Sequence, residues 1–155
     1  MSDALVWRIA RRPFALDRTG AGARRDGGRW NRPGTAMVYA GCTVAVAALE
    51  SFVHRAGVPA PDLVLVRLAI PARHSAERPK DLPRGWNAVP PGPASQAFGS
   101  RWARERRSLV LYVPSALIPE ETITVLNPDH PEFPTVRMRI ARPFRFDPRM
   151  HKGEI

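Results

Sequence analysis

With 155 residues, 44% of them apolar and 25% charged, the chain is sized and composed for a single soluble domain over residues 1–155, and it has no apolar run long enough to cross a bilayer. Cys42 is its only cysteine, which excludes an intramolecular disulfide and suits a reducing compartment. The formal charge of +10 invites phosphate-bearing partners, but it is arginine scattered along the chain, the only lysines being Lys80 and Lys152, so no basic stripe is marked out for a nucleic-acid backbone.

The opening MSDALVWRIARR lacks the apolar core and cleavage site of a secretion signal, and a cytoplasmic protein is expected. Leu5, Trp7 and Ile9 alternate with Val6, Arg8 and Ala10, a strand burying one face and holding Arg8 on the other. Residues 17–28, rich in Gly and Arg without an apolar period, are expected to be a loop. After the turn Asn31-Arg32-Pro33-Gly34, residues 36–40 form a strand whose period of two sets Met37 and Tyr39 on the same face. Thr43 caps a helix running to about Arg55, where Gly57 and Pro59 close it. Val46, Leu49, Phe52 and Val53, with Ala45 and Ala56, form its apolar arc, and Glu50 lies at the edge of that arc, one turn before His54.

The nearly continuous apolar run Leu63–Ile70 reads as a strand covered on both faces. Residues 72–93, dense in proline, form a surface excursion in which Trp86 and Asn87 stand out. Ser95 caps a second helix that packs Phe98 and Trp102 inward. Strands follow over residues 108–113, over Thr122–Leu126 and over residues 136–141, the last with Arg137 and Arg139 on a solvated face. Phe144 and Phe146 pack the tail, which then frays. Six strands and two helices without β-α-β alternation make an α+β fold, a mixed β-sheet core with few helices.

The scattered histidines 54, 74, 130 and 151 give no ligand pair at metal spacing, so no metal is expected. No Walker loop or Rossmann fingerprint joins a strand to a helix. Cys42, at the start of a helix but without a base partner, reads as an inert thiol. Arg29, Tyr39, Glu50 and Ser115 each have a structural explanation when taken singly. Together, in the segments WRIA, GGRWN, VYA, AALESFVH, LVLYVPSALIP, LNPDHPEF and ARPFRFDPR, they make the chain resemble the RES-domain toxins of RES–Xre toxin–antitoxin systems over nearly its whole length. In that resemblance Arg29 matches the family arginine, Glu50 the glutamate, Ser115 the serine and Tyr39 a further aromatic.

The resemblance implies a fold like that of ADP-ribosyltransferase toxins, NAD+ as the substrate and growth arrest as the result. Water, phosphate or a protein side chain could accept the ADP-ribose. It also implies an Xre-like helix-turn-helix antitoxin as partner and allows a homodimer within that complex. The chemistry is consistent with this assignment. Cleaving the nicotinamide–ribose bond builds positive charge on the ribose, which a fixed carboxylate such as Glu50 stabilises. Arg29 would hold pyrophosphate or ribose, Tyr39 would stack on nicotinamide, and Ser115 would bond the ribose or orient Glu50. Arg8 is a lesser candidate for a phosphate contact. The alternatives are a basic nucleic-acid-binding regulator, which lacks a helix that gathers base-reading residues, and an RNA-cleaving toxin, which lacks paired histidines.

Overall fold

The computed structural model describes residues 1–151, so the expected fraying of residues 152–155 lies outside the described residues. Seven strands form one sheet: β1 Ala4–Arg11, β2 Val38–Gly41, β3 Leu63–Ile70, β4 Ala76–Glu77, β5 Val110–Pro114, β6 Thr122–Leu126 and β7 Arg137–Pro143. Their order across the sheet is β4-β5-β6-β2-β1-β3-β7. All neighbours are antiparallel except β4 and β5. Three α-helices complete the α+β architecture: α1 Ala21–Asp26, α2 Val44–His54 and α3 Pro93–Arg104.

The expected β1 is present, but it is packed on both faces: Val6 joins one apolar layer, while Ile9 and Trp7 join another beneath α2. β3 is buried along most of its length because both its faces are covered: Val64, Val66, Leu68 and Ile70 pack in one apolar layer, Leu63 and Leu65 in the other. β7 keeps Arg137 and Arg139 exposed, while Met138 and Ile140 turn to the core. Phe144 and Phe146 pack edge to face at 5.0 Å, and Phe146 also meets Phe52.

Three elements depart from the sequence reading. The basic stretch 17–28 contains the short helix α1, whose entry is held by Asp17: its Oδ2 accepts from Ala21 N at 3.3 Å and its Oδ1 from the Thr19 hydroxyl at 2.7 Å. A six-residue helix entered through Gly20 in the left-handed region and steadied by Asp17 has no apolar period to betray it. The helix expected to start at Ser95 begins two residues earlier, at Pro93, which needs no N–H there; Ser95 is buried inside the helix with an unpartnered hydroxyl. The two-residue β4 exists only by pairing with β5 and carries no pattern of its own.

The arc of α2 also rotates. Val46 and Ala47 are its buried residues, whereas Val53 is 49% exposed and Ala45 and Ala56 face outward. Gly41 lets the helix lie close to the sheet, since a Cβ there would meet Ala47 N at 2.7 Å. Thr43 caps it as expected, accepting from Val46 N at 3.1 Å.

Candidate active site

The loop carrying Arg29 is built around Asn31, which is fully buried. Its Nδ2 donates to the carbonyls of Ala23, Thr35 and Arg32 at 2.8, 2.9 and 3.2 Å. Its Oδ1 accepts from the Tyr39 hydroxyl at 2.6 Å, and that hydroxyl in turn accepts from Trp30 N at 3.0 Å. The sequence reading took Asn31 for a turn residue. Its role as the hub of the loop becomes visible only when α1, the turn and β2 converge on it. Gly28 belongs to the same arrangement, because a Cβ there would lie 2.8 Å from the Tyr39 hydroxyl. The glycine makes room for tyrosine.

Arg29 projects from this loop and donates through Nη1 to the carbonyls of Trp86 and Ala88 at 2.9 and 2.8 Å. The proline-rich excursion therefore folds back over the loop, and Trp86 stacks on Trp30 at 6.1 Å. Phe98 of α3 meets the other side of Trp30, and Gln96 donates to the Gly28 carbonyl at 3.1 Å. Burial lowers the Arg29 guanidinium from its ordinary value, while the negative charge of Glu50 and the Tyr39 phenol raise it. Arg29 thus feels both groups without closing a direct ion pair on Glu50. Burial raises the Tyr39 phenol well above its ordinary range, opposed by the Trp30 N–H and Arg29, so it stays neutral across physiological pH.

Glu50, on α2, meets Ser115, which follows the end of β5: the Ser115 hydroxyl donates to Glu50 Oε1 at 2.7 Å. That hydroxyl also accepts from the backbone N–H groups of Leu117 and Ile118, both at 3.1 Å. The turn after Pro114 therefore aims the serine proton at the carboxylate and leaves Glu50 Oε2 open. Of the two roles considered for Ser115, orienting Glu50 is the one its bonds describe.

The structure thus brings Arg29, Tyr39, Glu50 and Ser115 together on one face of the sheet. It does not bring Arg8 to them. Arg8 alternates with Trp7 and Ile9, which pack beneath α2, so it lies on the opposite face and donates to the carbonyls of Phe14 and Ala15 at 3.0 and 2.8 Å. His54 is exposed. Cys42 is partly buried, its thiol 3.6 Å from Glu121 Oε2. Among the described residues no group of three His, Cys, Asp or Glu side chains could hold a metal, and no helix is long and apolar enough to cross a membrane.

An antiparallel sheet with a carboxylate, serine, arginine and tyrosine gathered beside one helix defines a class of small α+β domain. The RES domain profile matches residues 5–147, and the chain belongs to this family of toxins. It is 43% identical over 153 residues to the Prs ADP-ribosylating toxin of Sphingobium sp. strain YBL2, covering 93% of this chain and 94% of that one. It is 35% identical over 150 residues to the toxin Res of Yersinia enterocolitica, covering 94% and 99%. The fold is also that of a chain in the crystal structure of the M. tuberculosis MbcT–MbcA toxin–antitoxin complex, with a TM-score of 0.67 at 16% identity over 88% of this chain and 81% of that one.

Proposed function

We propose that the chain is an enzymatic toxin that cleaves the nicotinamide–ribose bond of NAD+, with Glu50 as the catalytic carboxylate and an antitoxin as the partner that silences it. The observation that carries this reading is the Ser115–Glu50 hydrogen bond, which holds one carboxylate oxygen and presents the other. Nicotinamide leaves as a neutral ring, so the chemical demand falls on the ribose, where positive charge develops. Glu50 Oε2 stabilises that charge, and its seat at the rim of an apolar helix face limits the water that would screen it. Arg29, its Nη1 anchored on two carbonyls, keeps its remaining N–H groups for the pyrophosphate or ribose oxygens. The Tyr39 hydroxyl is fully engaged and its phenol neutral, so it supplies a fixed ring for nicotinamide to stack on and takes no part in proton transfer.

The name of the Sphingobium relative supports ADP-ribosyl transfer as the outcome, and the M. tuberculosis complex supports an antitoxin partner. Nicotinamide release by the purified chain tests the reading. Glu50→Ala should turn over NAD+ on the order of a hundredfold more slowly, and equal turnover by both proteins would remove Glu50 from the chemistry. Mass analysis of the product identifies the acceptor.

A further inference from the structure

A second concentration of unexplained charge lies on the same sheet face as α2, at the opposite edge. The pairing registers align one row of residues across six strands: Val113, Ile123, Gly41, Trp7, Arg67 and Arg139. Val113 is two residues from Ser115, and the β7 end of this row lies five strand spacings from Val113, roughly 24 Å along the sheet. At that end Arg67 and Arg139 stand directly opposite one another. A like-charge pair in that position is destabilising unless something between the two compensates it.

Arg137, one step along β7, joins them in lining a cavity of about 160 Å³ with Ala69 and Met138. Asp3 meets Arg137 at 2.6 Å; among the described residues no carboxylate reaches Arg67 or Arg139. The Nε–H of Arg67 is buried and has no acceptor. A buried donor on a charged group is normally satisfied, and its lack of a protein partner points to a ligand.

We propose that this cavity binds a phosphate group, either inorganic phosphate or the phosphoryl end of a phosphomonoester. Three guanidinium charges against the single carboxylate of Asp3 leave a surplus of two, the charge of a phosphate dianion rather than of a carboxylate. Guanidinium forks match its tetrahedral oxygens. The cavity is too small for a whole nucleotide, and the site stands independently of the reading given for Glu50.

Inorganic phosphate is titrated into the full chain at constant ionic strength, with chloride as the balancing anion. The Nε–H resonances of Arg67 and Arg139 should shift along saturable curves, and Tm should rise. O-phosphoserine, run in parallel, separates the sources: saturation by it as well assigns the cavity to a phosphoryl group on a larger molecule, and saturation by phosphate alone assigns it to the free anion. Arg139→Gln, at an exposed position of an edge strand, should weaken phosphate binding roughly tenfold and raise Tm in its absence by removing the like-charge pair. Arg29→Gln should leave the curves unchanged. Linear shifts equal to those produced by chloride, or the same midpoint in Arg139→Gln as in the unaltered chain, would overturn the proposal.

Discussion

The Ser115 hydroxyl is fully committed: it gives its proton to Glu50 and accepts two backbone N–H groups. Ser115→Ala would leave Glu50 free to swing and two donors short of an acceptor. We expect kcat for NAD+ cleavage to fall roughly tenfold or more with KM little changed, because the substrate contacts proposed for Arg29 and Tyr39 are untouched; steady-state kinetics would read the split. Tyr39 carries a different load. Its hydroxyl satisfies Trp30 N–H and Asn31 Oδ1, so Tyr39→Phe should cost about 1–3 kcal/mol of stability while keeping the ring. The same residue shapes the alkaline limit. Burial raises the phenol above its ordinary 10.0, so the folded state holds a proton that the unfolded chain gives up. Its contribution is complete below the unfolded value and is lost as pH rises above it. Urea midpoints taken from neutral to strongly alkaline pH should therefore decline less in Tyr39→Phe, with Tyr112, whose phenol burial also raises, keeping part of the slope.

At the scale of elements, the site depends on how closely helices approach the backbone they position. α3 meets the Arg29 loop at Gly99, where an added Cβ would lie 1.8 Å from the Trp30 carbonyl oxygen. No side chain can move to relieve that clash, because the obstacle is main chain. Gly99→Ala should cost about 3 kcal/mol in urea denaturation and displace Arg29, the neighbour of Trp30, so that NAD+ cleavage falls even where the variant stays folded. Nothing in the sequence marks Gly99 as special, since a glycine inside an amphipathic helix reads only as a weak point. α2 shows the opposite case. Its cap, length and the half-exposed place of Glu50 follow from residues 43–55 alone, while the exact orientation of its arc was settled by the sheet it landed on.

Across the whole molecule the controlling feature is that residues far apart in sequence hold the Arg29 loop in place. Arg29 is tied to carbonyls at positions 86 and 88, and Trp86 lies on Trp30. The part of the excursion around Trp86 and Ala88 is therefore a cover for the Arg29 loop, while residues 76–77 join the sheet as β4. Trp86→Ala should loosen that cover and raise KM for NAD+ roughly tenfold with a smaller change in kcat. Comparison of binding to the Glu50→Ala protein with and without the Trp86 change would check this free of turnover. The scattered arginines likewise sort themselves in three dimensions. Arg8 and Arg18 bond main-chain carbonyls, Arg11 and Arg107 pair with carboxylates, and Arg67 and Arg139 are left facing each other.

By itself the sequence determined the strand alternation, the Thr43-capped helix and the α+β class, because apolar periodicity and capping are local properties of the chain; Arg29, Tyr39, Glu50 and Ser115 became candidates through the family resemblance of the segments that carry them. The tertiary structure alone decided that Ser115 aims at Glu50, that Asn31 locks Tyr39, that Trp86 packs over the Arg29 loop and that the four residues gather on the face of β1 opposite Arg8. Those outcomes join separate elements, from eight residues apart for Asn31 and Tyr39 to 65 for Glu50 and Ser115, and their partners are chosen by strand order and sheet face. No local pattern encodes either.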